Sequence, residues 1–270
     1  MTNQFVVQII VTMIGYLLID KPAGITSHDV VNHIRRATGE RRVGHAGTLD
    51  PFATGLLIMG VGREATKRLG ELVGLDKEYE AEFVLGAMTD TDDRTGKIIK
   101  ELKGPEGLNV ASSAVAAGFS PRLLERTLTL RQAQGIEGAA TEMEIETWLQ
   151  TFVGNIEQIP PQYAAIKIKG RKMYELARQG KTVEAKPRKV RIDEFELVRW
   201  ESPKLYVRIH CSSGTYIRAI ARDMGGYVEE LRRTAVGPIT IAQACTLAEV
   251  AISPQNHLLS IDDFFARMAA

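Results

Sequence analysis

A single carboxylate stands at the centre of a glycine-framed segment, Gly47-Thr48-Leu49-Asp50-Pro51-Phe52-Ala53-Thr54-Gly55. An aspartate is ionised at neutral pH, so Asp50 could act as a nucleophile, as a base or as the partner of a cation. Glycine on either side allows backbone to approach a ligand closely. The plainer alternative is a turn aspartate that satisfies nearby N–H groups. A phosphate cradle is the weaker reading, because the segment lacks the G-x-x-x-x-G-K-[ST] spacing and its lysine. His45, two residues before Gly47, could serve as a base or stack on a ring, and could equally be a hydrogen-bonded loop residue.

Other reactive groups are less well organised. No serine or cysteine nucleophile motif supports a hydrolytic triad. His28, His33, His210 and His257 lack metal-ligand spacing, and Cys211 and Cys245 form no C-x-x-C pair, so no metal site is expected. Asp90, Asp92 and Asp93 resemble a calcium loop only superficially, without its terminal glutamate, and read as a solvated turn. Positive charge is concentrated at 167–191, where ten Lys/Arg face two Glu, a local +8 in a chain whose total is +1. With Tyr163 and Tyr174 interleaved, that stretch suits a phosphate backbone and unpaired bases. The alternative is a solvated face.

The 270 residues, 44% hydrophobic and 25% charged, are enough to bury a core without staples. Near-zero net charge excludes a polycation or an acidic tail, and two cysteines make no disulfide framework, which favours a reducing, cytoplasmic setting. The apolar stretch 5–19 is interrupted by Gln8, Thr12 and Gly15 and is shorter than the roughly 20 residues that span a bilayer. No Lys or Arg precedes it, so it lacks the charged start of a secretory signal. A buried strand at 14–19 is expected instead, stopped by Asp20 and Lys21-Pro22. The residues before Met13 read as an extension.

The elements that must position Asp50 follow from local pattern. Thr26-Ser27-His28-Asp29 is a capping-box start, Val30, Val31, Ile34 and Ala37 recur at helical spacing, and Gly39 ends the helix. Arg35, Arg36, Arg41 and Arg42 crowd its end. Residues 44–55 read as a loop and 56–61 as a buried strand. The stretch 79–85 alternates as a half-exposed strand. Residues 103–141 lose all period and read as an insertion, after which a helix is expected at 142–152. Leu205, Val207 and Ile209 alternate as a strand, which runs into Ser212-Ser213-Gly214-Thr215-Tyr216-Ile217-Arg218 and an amphipathic helix extending to about 231.

Taken together and in order, these segments resemble the bacterial TruB family, the tRNA pseudouridine(55) synthases. The resemblance rests on Gly15-Tyr16-Leu17-Leu18-Ile19-Asp20-Lys21-Pro22-Ala23-Gly24-Ile25-Thr26-Ser27, on Gly44-His45 through Gly55, and on Lys77-Glu78-Tyr79. It continues through Gln158-Ile159-Pro160-Pro161-Gln162-Tyr163-Ala164-Ala165-Ile166-Lys167, Cys211 through Arg218, and Leu231-Arg232-Arg233-Thr234.

The resemblance implies an α+β fold, the pseudouridine synthase fold, with a mixed, mainly antiparallel central sheet flanked by helices. It implies a catalytic domain over 1–250 interrupted at 103–141, and a short tail at 251–270 in place of a full C-terminal RNA-binding (PUA) domain. The reaction it implies is isomerisation of a T-arm uridine in tRNA, by a monomer that needs no cofactor, metal or membrane. Asp50 becomes the catalytic carboxylate, with attack on the sugar, attack on the ring or removal of a sugar proton open as its first step. Arg218 resembles the family's partner arginine, which keeps the aspartate ionised and aimed. Tyr79 is similar to the tyrosine that stacks on the target base. His45, Lys21, Tyr216, Leu231 and Lys167 fall to substrate binding, His45 by helping to hold the flipped-out nucleotide. Two rival functions fit the same motifs: a non-catalytic tRNA-binding or tRNA-folding protein, and a pseudouridine synthase for another RNA.

Overall fold

A computed structural model describes residues 13–101, 141–164, 167–168, 171–172 and 185–269. The expected insertion at 103–141 therefore lies almost wholly outside the described residues, as does most of the basic stretch at 167–191.

In chain order the strands are β1 (Gly15–Lys21), β2 (Val43–Ala46), β3 (Thr54–Val61), β4 (Lys77–Leu85), β5 (Ala87–Thr89), β6 (Ile98–Glu101), β7 (Gly154–Gln158), β8 (Lys167–Ile168), β9 (Arg171–Lys172), β10 (Arg188–Glu201), β11 (Lys204–Cys211), β12 (Gly226–Val236) and β13 (Ile239–Thr240). The helices are α1 (Ser27–Thr38), α2 (Gly62–Lys67), α3 (Leu69–Val73), α4 (Glu142–Gln150), α5 (Ile217–Asp223), α6 (Leu247–Ile252), α7 (Pro254–His257) and α8 (Ile261–Ala269). The fold is α+β with antiparallel strand ladders. Among the described residues, no helix is long and apolar enough to cross a membrane. The chain divides into two compact units, one of residues 1–74 with 235–270 and one of residues 75–234.

In the first unit β3 pairs antiparallel with β1 and with β2. Leu56, Leu57, Ile58, Met59 and Val61 on β3 are all buried. A run without alternation means that both faces of the strand are covered. Helix α1 begins as its sequence dictates: the Thr26 hydroxyl accepts the Asp29 N–H, the Asp29 carboxylate accepts from Thr26, and Gly39 closes the helix at φ 70°. Its apolar face buries Val30, Val31 and Ile34. Helix α8 places Phe264 against Tyr16, with ring centroids 4.1 Å apart.

The expectation of an open loop across 44–55 is corrected here. Its first three residues belong to β2, with His45 opposite Met59 and Gly44 opposite Gly60. A Cβ on Gly44 would sit 2.9 Å from Leu69 Cδ1, so a larger residue here would push that leucine side chain aside.

In the second unit the strand order is β12-β4-β11-β10-β7. The β4 ladder sets Lys77 opposite Cys211, Tyr79 opposite Ile209 and Ala81 opposite Val207. Burial alternates along β4, with Tyr79, Ala81, Phe83 and Leu85 inward. Period-2 alternation is what a strand with one covered face requires. The expected amphipathic helix to about 231 is also corrected: α5 stops at Asp223 and the chain re-enters the sheet as β12. Gly225 takes φ 78°, and a Cβ on Gly226 would meet the Val84 carbonyl oxygen at 2.4 Å. The glycine pair turns the chain and lets β12 approach β4, so Leu231 is a strand residue.

Candidate active site

Asp50 is fixed through its neighbours. On one side, the Ser27 hydroxyl donates to the Leu49 carbonyl at 3.1 Å and accepts the Leu49 N–H at 2.9 Å. Ser27 is buried at the first turn of α1, and Leu49 is buried with it. On the other side, the Pro51 carbonyl accepts the Gly24 N–H at 2.8 Å and the Lys21 ammonium at 3.4 Å. The Lys21 ammonium also donates to the carbonyls of Pro22 and Ile25, at 2.8 and 2.9 Å. Lys21 is fully buried, and these carbonyls give its charge the partners that a buried cation needs. Phe52 and Ala53 are buried, the Ala53 N–H closes a turn on the Asp50 carbonyl at 3.1 Å, and Asp50 itself stays half-buried. The two residues flanking Asp50 are thus tied down, and Asp50 itself is not fully buried. His45 lies on β2, which leads into the same loop, and is also half-buried.

The second unit holds its candidates in a comparable way. Gln158, buried at the end of β7, accepts the Tyr216 N–H at 2.9 Å and donates to the Tyr216 carbonyl at 3.1 Å. Tyr216 is the N-cap residue of α5, so this clamp sets where the helix begins and where Arg218 emerges. Arg218 is 4% exposed. Its guanidinium donates to the Thr91 carbonyl at 2.8 Å, to Asp93 Oδ2 at 3.4 Å and to the Tyr163 carbonyl at 3.5 Å.

Asp93 is itself held. Its Oδ1 accepts from the Thr91 hydroxyl and the Thr95 N–H, both at 2.9 Å, and from the Thr95 hydroxyl. The turn that carries it hydrogen-bonds to β12, with the Arg94 N–H on the Val228 carbonyl at 2.9 Å and the Val228 N–H on the Asp92 carbonyl at 3.1 Å. One helical turn after Arg218, Arg222 reaches Asp92 Oδ2 at 3.3 Å, Asp223 Oδ1 at 3.0 Å and the Ile159 carbonyl at 2.8 Å.

The expectation of a solvated acidic turn at 90–93 is therefore overturned for its last two members. Asp92 and Asp93 are buried, because two arginines on one face of α5 compensate them. Burial pushes the Asp92 carboxyl up to about 6, although Arg222 and Arg218 pull it down. The Asp223 carboxyl is raised for the same leading reason.

Tyr79 and Leu231 are buried on β4 and β12, which are neighbours in the sheet of the second unit. Lys77, two residues before Tyr79 on the same face, is lowered to about 8, first by burial and then by Arg233. Lys167 lies in β8, and its side chain is outside the described residues. Of the residues expected from sequence, the first unit brings Lys21 to the Asp50 loop, and the second places Tyr216 and Arg218 at the start of one helix. The positioning residues Ser27, Gln158 and Asp93 were not anticipated. A buried polar side chain serving a backbone far away in sequence leaves no local spacing signal, although arginines four apart on an otherwise apolar helix do call for buried acids.

The family model described as "TruB family pseudouridylate synthase (N terminal domain)" matches residues 35–120 and 122–217. The tRNA pseudouridine synthase B of Thermobifida fusca (strain YX) is 44% identical over 251 residues, covering 88% of this chain and 74% of its own length. The chain belongs to the TruB family. The enzyme of the same name from Rhodococcus jostii (strain RHA1) is 41% identical, covering 89% of this chain and 71% of its own length. Among solved structures, one titled as a Cbf5-Nop10-Gar1 complex superposes with a TM-score of 0.60 at 22% identity. It covers 94% of this chain and 59% of its own, and the likeness is one of fold.

Proposed function

We propose that this protein isomerises a T-arm uridine of tRNA to pseudouridine, with Asp50 as the catalytic carboxylate. The C1′–N1 bond breaks, the base turns, and a C1′–C5 bond forms; the proton lost from C5 is balanced by one gained at N1. Nothing is oxidised and no group leaves, so the chemistry asks for a carboxylate and general acid–base groups rather than a redox or group-carrying cofactor. Tyr79 is the ring that faces the target base, and Arg218 supplies a permanent positive charge. His45, Lys21, Tyr216, Leu231 and Lys167 serve substrate binding, with Lys21 acting through the carbonyls that it gathers. A base inside a folded RNA loop must leave its stack, which costs a few kcal/mol, and apolar and aromatic walls offset that cost. The enzyme works as a cytoplasmic monomer.

The observation that carries this reading is the two-sided fixing of Asp50, by Ser27 at Leu49 and by Gly24 and Lys21 at Pro51. A turn aspartate with no further role does not need both of its neighbours locked from two separate elements. The deciding experiment incubates pure protein with unmodified tRNA and maps pseudouridine at nucleotide resolution. Conversion at one T-arm uridine is expected. Binding without conversion would favour the non-catalytic reading, and conversion only in another RNA would move the substrate.

A further inference from the structure

An arginine cluster in the first unit is used by none of the chemistry above. Helix α1 ends in Arg35 and Arg36, the following turn carries Arg41 and Arg42, and Arg63 opens α2. The backbone brings these together. The Arg35 Nε donates to the Arg41 carbonyl at 3.1 Å, the Gly62 N–H donates to the Arg42 carbonyl at 2.8 Å, and Val43 pairs with Val61. Arg36, Arg41, Arg42 and Arg63 are all exposed.

Two ordinary explanations fall short. Cations at a helix C-terminus complement its dipole. That accounts for Arg35 and Arg36 but not for Arg41, Arg42 and Arg63, which lie beyond the helix. Surface arginines are also commonly neutralised by nearby acids, as Arg68 is by Glu71, Arg199 by Glu201 and Arg208 by Glu196. Among the described residues no carboxylate lies within ion-pair distance of the Arg36, Arg41, Arg42 or Arg63 guanidinium, and Glu40 is turned onto the Arg42 N–H at 2.8 Å. Like charges gathered without counter-charges repel one another, and a polyanion relieves that repulsion while releasing its own counterions.

We infer that Arg36, Arg41, Arg42 and Arg63 form a docking surface for the sugar–phosphate backbone of the RNA substrate. The surface lies in the same unit as Asp50, and its nearest member along the chain, Arg42, is at most about 27 Å of extended chain from Asp50 through β2 and the loop that follows. Arginine suits the task because its planar fork takes two phosphate oxygens at once. The contacts position the RNA and carry no base information. This inference rests on tRNA being the substrate.

The test is the salt dependence of affinity for unmodified tRNA, between roughly 50 and 200 mM monovalent salt. Three proteins are compared: wild type, Arg41→Gln/Arg42→Gln, and Arg199→Gln/Arg208→Gln. Both variants lose two positive charges, but only the first loses charges that lack carboxylate partners. The Arg41 and Arg42 side chains make no hydrogen bond among the described residues, so their removal spares the fold; Arg36→Gln/Arg63→Gln is the second variant should the first prove unstable.

The expected result is weaker tRNA binding at every salt and a log–log slope shallower by about 1.5 for the Arg41/Arg42 pair, at roughly 0.7–0.9 per phosphate lost. The Arg199/Arg208 pair should keep the wild-type slope. Equal slopes in all three proteins, or equal losses in both variants, would overturn the docking surface while leaving the proposed reaction standing. Failure of the wild type itself to bind tRNA would remove both.

Discussion

Ser27 and Leu49, 22 positions apart in sequence, exchange two hydrogen bonds, and the residue that follows Leu49 is Asp50. One hydroxyl satisfies both the backbone donor and the backbone acceptor of a buried residue. Ser27→Ala leaves both unpaired, at a cost of about 1–3 kcal/mol for each orphaned group. The loop should loosen at Asp50 while α1, capped by Thr26, persists. We expect a stability loss of at least about 2 kcal/mol by urea titration. The single-turnover rate at saturating enzyme should fall by more than tenfold, with tRNA affinity nearly unchanged. Ser27→Thr, which keeps the hydroxyl, should restore most of the rate. A rate unchanged in Ser27→Ala would mean that the Pro51 side of the clamp suffices.

Asp93 performs the corresponding service for Arg218. Three donors from Thr91 and Thr95 hold one carboxylate oxygen, and the other faces the guanidinium. Asp93→Asn keeps the shape but puts a neutral amide beside a buried cation. Breaking a buried pair from one side costs about 3–5 kcal/mol. Retention of the Thr91 carbonyl bond to Arg218 should hold the loss toward the lower end. Circular dichroism melts and single-turnover rates on the same preparation check this. A normal rate with normal stability would show that Thr91 and Tyr163 alone position the arginine.

The sequence made some of this legible and hid the rest for physical reasons. The Thr26–Asp29 capping box and the Gly39 stop are local signals, and α1 has both ends where they fall. The alternation at 79–85 matches the inward face of β4, because a strand with one covered face must alternate. The short strand β2 was hidden inside a glycine-rich segment, whose composition reads as loop and whose pairing with β3 no periodicity records. Ile217 through Leu231 read as one helix because strand and helix patterns overlap over short apolar runs; the Gly225–Gly226 break decides it. The acids at 92 and 93 looked solvated because their arginines lie 125 or more positions further along the chain. Asp50, by contrast, stood out by residue type and spacing alone, and the clamp around it is what only three dimensions supply.

Asp50→Asn removes charge and nucleophilicity while preserving size. The clamp acts on the backbone of its neighbours, so the variant should fold normally. Conversion of uridine should fall by at least about a thousandfold, as expected when a covalent or proton-transfer group is deleted. Affinity for unmodified tRNA should stay within a few-fold of wild type. Quantitative pseudouridine mapping under single- and multiple-turnover conditions measures the rate, and filter binding measures affinity. Appreciable multiple turnover by the variant would reject Asp50 as the catalytic group.

Asp92 should give the stability of the protein a pH dependence of unusual sign for a carboxylate. Burial raises its pKa from 3.8 to about 6, outweighing the attraction of Arg222 and Arg218. Between those values the folded chain holds a proton that the unfolded chain has released, so this group's contribution falls as pH rises through that window and levels off above about 6. At about 1.4 kcal/mol per unit, the full change is on the order of 3 kcal/mol. Asp92→Asn removes the titrating carboxyl and retains a side chain that can still accept from Arg222, which also keeps Asp223 and the Ile159 carbonyl. Urea titrations of both proteins at pH 4, 5, 6 and 7 isolate the effect, because every other group titrates in both. The difference curve should move toward the variant by about 2–3 kcal/mol from pH 4 to pH 7. Movement toward the wild type would mean that attraction to Arg222 outweighs burial, and that Asp92 is folded in its charged form throughout.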